Sequence, residues 1–520
     1  MNTEKQLLTL RNLAYKQLDA KSRNELGQYY TPYAIAQFMA SLFSDLSGDI
    51  KLLDPGCGIA SLSTAVIEEI DFRDHQGHIE IDLFEIENRI EKYLIDAIEF
   101  LKTKSESNIL VNIYWEDFLL SANKDDLFND TTRLFAHYTH CIMNPPYKKI
   151  PANGLYRKTL KKIGIETGNL YAAFAALAIL RLRDGGELIA IIPRSFCNGP
   201  YFKAFRKLIL DNTAIKHIHV FNSRNKAFNS DDVLQENIII HLIKGMVQGN
   251  ISISSSSEGN FHRSEILSEF TASDLTICAV DFSLIVKPTD PNYFIHIATS
   301  LFEESVTQQL SVFTSQLHDI KTEVSTGPIV GCRSQAYLSD DADKDSIPLF
   351  YPAHFTKGVV EWPSVKKSNS LKNSYPRKED IWKNTGTFVL IKRFSAKEEK
   401  KRVVAYLSET DHSHIAFENK LNVFHFNHTG LPHSIAKGLY VFLNSTLLDL
   451  YFRQFSGHTQ VNAADLRNIG YPSVDILDFM GTKVQSYPLT QKKICAKFER
   501  NLSALHSPPV RAGRYLYIQS

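Results

Sequence analysis

Cysteine is scarce and scattered. The six residues Cys57, Cys141, Cys197, Cys278, Cys332 and Cys495 form no CxxC pair and no Cys/His cluster at ligand spacing. That pattern excludes a zinc ribbon or a disulfide scaffold, requires no metal, and fits reduced thiols. No apolar run reaches membrane length. The opening MNTEKQLLTLRNLAYKQL also lacks a basic segment followed by an apolar stretch and a small-residue cleavage site. The expectation is a cytoplasmic protein with no membrane partner. Net charge is nearly absent too, +1 over 520 residues, which taken alone argues against a nucleic-acid ligand.

What is present is ample core material and an uneven charge distribution. Hydrophobic residues make up 43% and charged residues 22%, the balance of a globular chain long enough for two large domains or three smaller ones. Residues 1 to 130 hold 12 basic and 23 acidic side chains, whereas residues 131 to 230 hold 16 basic and 4 acidic ones. The first stretch is therefore −11 and the second +12, an asymmetry hidden by the total.

From Lys51 onward short apolar runs alternate with helical stretches: LLD, SLSTAVIEEI, IEIDLFEIE, RIEKYLIDAIEFLK, NIYW and HCIMNPP. This is the rhythm of an α/β, doubly wound parallel sheet. A helix over about Asn169 to Arg183 is expected to end at Gly185 and Gly186 before the apolar strand ELIAIIP. FKAFRKLILD reads as an amphipathic helix, and HIHVF and NIIIHLI as the last strands. The serine-rich ISISSSSEGN near Gly249 is read as a loop between domains 1–248, with a helical arm over 1–50, and 249–520. Beyond it, KGLYVFLNSTLLDLYFRQF and QKKICAKFERNLSAL among short β-like runs suggest an α+β module without repeats.

Two groups of residues carry chemistry. The first begins at Asp54-Pro55-Gly56-Cys57-Gly58, where glycines in a strand-to-helix turn let the backbone approach a nucleotide-like ligand. Glu85, followed by Ile86, ends the next strand, where a carboxylate can accept both ribose hydroxyls; Glu87 is the alternative. Asp117, followed by Phe118, ends the third strand and is suited to a cofactor adenine amine or, equally, to capping a helix.

The second group is Asn144-Pro145-Pro146-Tyr147, a rigid corner because consecutive prolines continue neither a helix nor a central strand. An exocyclic amine on a base is a poor nucleophile, since its lone pair is delocalised into the ring. The Asn144 side-chain oxygen and the Pro145 carbonyl can each accept one N–H, favouring a pyramidal nitrogen aimed at a sulfonium methyl. Tyr147 offers a face on which an extruded base can stack.

In this order the motifs resemble the gamma-class N6-adenine DNA methyltransferases of restriction–modification systems. The resemblance covers roughly residues 20 to 245, including GQYYTP (Gly27 to Pro32) and NLYAAF (Asn169 to Phe174), and departs at Ala60, where many relatives carry glycine. It implies a Rossmann-like methyltransferase sheet followed by a target-recognition domain. The implied cofactor is S-adenosylmethionine, held by Tyr30, Thr31 and Pro32 and by the cradle residues, with Asn144 beside it. By the same resemblance Phe228 is a second aromatic flanking the adenine, a core phenylalanine being the alternative. The implied partners are double-stranded DNA and a separate restriction endonuclease, with the chain a monomer or weak dimer. Lys148, Lys149, Lys392, Arg393, Lys401, Arg402, His458 and Gln460 are candidate DNA contacts, and Lys400, Trp362, Phe394 and Asn462 are possible additions. An RNA or protein-glutamine methyltransferase, which can share the NPPY order, stays open, as does a DNA-recognition subunit without turnover.

Overall fold

Apolar runs with side chains directed to both faces need cover on both sides, and the strands of the N-terminal half receive it. A computed structural model describes residues 3–18, 31–105, 107–125, 138–222, 236–257, 259–264, 270–340, 346–363, 369–396, 398–457 and 459–484. These belong to two compact units, Met1–Glu304 and Ser305–Ser520.

The first unit is built on a nine-stranded sheet. Its strands are β1 (Ile50–Pro55), β2 (Ile79–Phe84), β3 (Ile109–Tyr114), β4 (Tyr138–Met143), β5 (Leu182–Pro193), β6 (Thr213–Phe221), β7 (Asn237–Lys244) and β8 (Ile251–Ser256). A separate two-stranded hairpin, β9 (His262–Arg263) and β10 (Phe270–Thr271), precedes the last strand of the sheet, β11 (Thr276–Val280). The order is β11-β8-β6-β7-β5-β4-β1-β2-β3. Strands β1 to β5 run parallel, β7 is antiparallel to both β5 and β6, and β8 is parallel to β6.

Period-two alternation divides the strand residues between two cores. Leu53, Cys141, Leu188, Ala190 and Ile240 face the helix Leu170–Arg181. Leu52, Ile142, Ile189, Ile191 and Ile239 face the helices Tyr33–Ser41, Ser61–Phe72 and Glu91–Lys104. The chain leaves β1 into Ser61–Phe72 on one face and leaves β4 towards Leu160 and Leu170–Arg181 on the other. A crevice must open where neighbouring strands part in this way.

Two sequence expectations change here. The helix ends at Arg181, and Arg183 to Gly186 bulge within β5, where pairing jumps from Tyr138–Leu182 to His140–Glu187. Gly185 takes φ +76° there, a backbone conformation open to glycine. The serine-rich segment expected as a linker is strand β8: Ser254 Oγ lies 2.7 Å from both His217 Nε2 and His219 Nδ1, so its serines meet buried histidines of β6. The boundary expected at 248/249 therefore falls inside the sheet, and the compact unit runs on to Glu304.

Arg206 ties that later segment down. Fully buried, its guanidinium donates to the carbonyls of Phe196, Asn198, Gly199 and Asn292 at 2.8 to 3.0 Å and lies 5.1 Å from the centre of the Phe294 ring.

The second unit is α+β. Its six-stranded sheet includes Phe388–Lys392 between Leu421–His425 and Ala405–Ser408, and its five-stranded sheet includes Ile347–Phe350 beside His414–Phe417. KGLYVFLNSTLLDLYFRQF forms two helices, His433–Leu443 and Thr446–Phe455. Gly438 and Gly481 let His433–Leu443 meet Val474–Thr482 closely, since a Cβ at either position would lie within 2.0 Å of a backbone oxygen. The expected helix in QKKICAKFERNLSAL lies outside the described residues.

Replacing Arg206 by Lys is expected to cost at least about 3 kcal/mol, because three donors on a point charge cannot span carbonyls that a planar fork reaches. Urea denaturation reads this directly; wild-type stability in the variant would remove the role assigned to the guanidinium.

Candidate active site and cofactor cradle

The turn after β1 is shaped by backbone that only small residues tolerate well. Gly56 and Gly58 take φ +77° and +57°, and Ala60, at the N-cap of Ser61–Phe72, takes φ +57°. The departure from glycine at position 60 thus sits on a left-handed residue, where a Cβ costs roughly 1 kcal/mol. The amides of Gly56 and Cys57 donate to Phe84 O at 2.8 and 3.0 Å, which fixes the turn to the end of β2.

Beneath the turn, Asp54 is completely buried and accepts from Ser63 Oγ at 2.6 Å, while its Oδ1 has no hydrogen-bond partner. Burial pushes its carboxyl up to about 7, with the bonds from Ser63 opposing the shift. Glu85 is buried beside it. One oxygen accepts from Gly58 N at 2.9 Å and the other from Ile86 N and Glu87 N at 2.8 and 2.9 Å. Burial raises its pKa against these amides.

A cavity of about 360 Å³ lies over the carboxyl ends of β1 to β4. It brings together Thr31, Gly56, Cys57, Gly58, Glu85 and Ile86. Asp117, Phe118, Asn144, Pro146, Lys148 and Lys149 complete the residues anticipated from sequence. Pro32, Asp54, Pro55, Pro145 and Tyr147 do not line it: Pro32 starts the helix Tyr33–Ser41, and Asp54 supports the turn from below. Of the two candidate acids, Glu85 lines the cavity. Glu87 is absent from the lining and is held by the Arg89 side chain at 2.7 and 2.8 Å. Asp117 caps a helix, accepting from Leu119 N and Leu120 N at 2.9 and 3.0 Å, and also lines the cavity. Tyr30, Phe228 and His458 lie outside the described residues.

Sequence reasoning missed Leu62, Phe84, Glu116, Tyr156 and Phe174 in the wall. Phe174 was visible only as part of NLYAAF, and nothing in LYRKTLKK marks Tyr156, whose hydroxyl donates to Asp117 Oδ2 at 2.5 Å. Apolar side chains beside a carboxylate suit a purine with an amino group, and the acids Glu85, Glu116 and Asp117 suit a cationic ligand. The residues present therefore fit an adenosyl sulfonium.

At the opposite wall, Asn144 Nδ2 donates to Thr31 Oγ1 at 3.1 Å. The Tyr147 hydroxyl lies 2.8 Å from Asn144 Oδ1 and 3.1 Å from Ile191 O, so its single proton serves one acceptor or the other. The Tyr147 ring meets Tyr171 edge to face at 6.2 Å. Past the corner the chain is pinned by Leu170 N to Lys148 O and by Ile150 N to Gly168 O, each at 2.8 Å.

In the second unit one anticipated DNA contact is corrected. Arg402 is 2% exposed, donates to Ser456 and lies over Phe452, so its charge is spent inside the fold. Lys392 is half-buried beside Glu399 at 3.5 Å, Arg393 Nη1 donates to Asn419 O at 3.4 Å, and Lys401 Nζ donates to Asn444 O. Gln460 forms a β-bridge with the exposed Phe394. Asn462 caps the helix Ala463–Arg467, and Trp362 donates to Asn369 O at 2.6 Å. Among the described residues no cluster of His, Cys, Asp or Glu forms a metal site, and no helix is long and apolar enough to cross a membrane.

The doubly wound sheet and its cradle define a Rossmann-like methyltransferase that uses S-adenosylmethionine. Residues 31–228 match the Eco57I restriction-modification methylase family. The type II methyltransferase M.BsuBI of Bacillus subtilis is 43% identical over 470 residues, covering 89% of this chain and 90% of that protein. M.PstI of Providencia stuartii is 40% identical over 496 residues, covering 94% of each. The chain belongs to this family, the type II methyltransferases of restriction–modification systems, which act on DNA. Its fold is similar to that of the type IIL restriction-modification enzyme MmeI in complex with DNA, with a TM-score of 0.54 and 12% identity over 95% of this chain and 78% of that one.

Glu85→Gln is expected to weaken cofactor binding at least about tenfold by removing a charged acceptor, while Glu87→Gln leaves it within about twofold. Calorimetric titration with S-adenosylhomocysteine compares them, and equal losses would reject the choice of Glu85. Asp54 yields a pH expectation. Its carboxyl titrates near 3.8 when unfolded and at about 7 when folded. Its contribution to stability is therefore complete below pH ~4 and lost as pH rises through 7. The stability of Asp54→Asn relative to wild type should climb across that interval; a flat difference in denaturation midpoints would contradict the buried carboxyl.

Proposed function

We propose that the chain transfers a methyl group from S-adenosylmethionine to the exocyclic N6 of an adenine turned out of double-stranded DNA, at one recognised sequence. It is the modification partner of a separate restriction endonuclease and works in the cytoplasm, where host DNA lies. The observation that carries this reading is the position of Asn144: it lines the same cavity as the glycine turn and Glu85, at the head of the NPPY corner.

The cofactor supplies an electrophilic methyl group on a sulfonium. Gly56 to Gly58 and Glu85 hold the adenosyl portion, with Phe84, Ile86 and Phe118 against its base and Asp117 accepting its amine. Asn144 Oδ1 and the Pro145 carbonyl accept the two hydrogens of the target amine, and Tyr147 stacks on the target ring. To receive the amine, Asn144 Oδ1 exchanges the Tyr147 hydroxyl for a substrate N–H, leaving that hydroxyl to the Ile191 carbonyl 3.1 Å away. No residue with a raised base strength is required: once the amine nitrogen has bonded to the methyl and S-adenosylhomocysteine is left as product, the cationic nitrogen is acidic and gives its proton to water. The second unit chooses the sequence, with Lys392, Arg393, Lys401 and Gln460 as candidate contacts.

Labelled methyl transfer to duplex DNA, RNA and protein offered in parallel tests the substrate class, and nucleoside analysis of the DNA tests the base. The expected product is N6-methyladenine in duplex DNA alone; label in RNA, protein or cytosine would overturn the assignment. Asn144→Ala should lower kcat by about 10² or more, the scale of losing a preorganised polar group aimed at the reacting atom. Cofactor and DNA dissociation constants should stay close to wild type. Tyr147→Phe keeps the stacking face and should retain most turnover, whereas Tyr147→Ala loses about 1–3 kcal/mol of base stacking.

A further inference from the structure

The helix Leu155–Lys162, with sequence LYRKTLKK, carries four basic residues and no acid. Its two sides are chemically distinct. Thr159 and Leu160 are buried, and Tyr156, one turn before Leu160, reaches Asp117 in the cavity wall. Lys158, Lys161 and Lys162 are exposed and spaced i, i+3 and i+4, which places them on one face. Like charges at those spacings repel, so the arrangement opposes helix formation unless a polyanion lies along it. Lys148 and Lys149 extend the same positive character to the cavity itself.

We infer that this face is a docking surface for the phosphate backbone of the DNA strand that delivers the target base. The inference rests on the proposed function and goes beyond it by assigning a surface not needed for the chemistry. The occupant follows from charge and position. The helix is fastened by Tyr156 to the cavity that contains Asn144, so a base entering there brings its flanking phosphates towards exposed ammonium groups. Phosphate contacts of this kind set position and affinity and carry no sequence information. Lys158, Lys161 and Lys162 therefore strengthen binding without choosing the site.

The test uses the full chain with Lys158, Lys161 and Lys162 each replaced by Ala, and a duplex carrying the methylated sequence, between 50 and 200 mM salt. Each lost phosphate contact lowers the salt slope of log affinity by about 0.9, so the triple variant should be shallower by about 2 to 3. Its affinity for S-adenosylhomocysteine, its kcat at saturating DNA and the sequence it modifies should be unchanged, while its KM for DNA rises. The control is Lys102→Ala with Lys104→Ala, exposed lysines of Glu91–Lys104, a helix packed against the opposite face of the sheet. An unchanged slope in the triple variant, or an equal change in the control, overturns the inference. A wild-type chain that binds no duplex DNA would instead reject the proposed function itself.

Discussion

The site depends on one topological constraint: the chain leaves the carboxyl end of β1 to one side of the sheet and that of β4 to the other. Strands that part company leave a gap which their own helices cannot fill, and loops from both must edge it. The glycine turn follows β1 and the NPPY corner follows β4, so two motifs nearly 90 residues apart become opposite walls of one cavity. Part of the charge asymmetry of the sequence reaches this cavity. The acidic stretch contributes Glu85, Glu116 and Asp117 to one wall, and the basic stretch contributes Lys148 and Lys149 to the other. On the proposed function, a cationic methyl donor and a polyanionic methyl acceptor would each meet complementary charge there.

Within that crevice, positions are held by polar groups that make several bonds at once. Glu85 is clamped by three backbone amides, so the acid that lines the cavity also fixes the turn opposite it. Asp117 likewise starts a helix, lines the cavity and anchors the basic helix through Tyr156. Such groups lose little freedom on binding, since most has already been lost in folding.

The parallel strands and the carboxylates at their ends were legible because both signals are local: an apolar run, a turn residue, an acid at the exit. Misreadings arose where a residue answers to a distant partner. The serines of β8 look like a linker until His217 and His219 are set against Ser254. Arg402 looks like part of a basic surface run until Ser456 and Phe452 enclose it. Arg206, which holds the segment around Asn292 in the first unit, lies in an ordinary amphipathic pattern with nothing nearby to mark its burial. Tyr156 belongs with these, since its partner Asp117 lies 39 positions earlier.

The hydroxyl of Tyr147 on the Asn144 oxygen has a further consequence. A half-buried amide oxygen stripped of donors would make vacancy of the pocket costly and hold any occupant tenaciously. Because an internal donor stands in, arrival and departure of the proposed nucleobase would each trade one hydrogen bond for another. The corner can be rigid without being sticky, and on the proposed function a catalyst that has to visit every copy of its sequence would be free to let each one go.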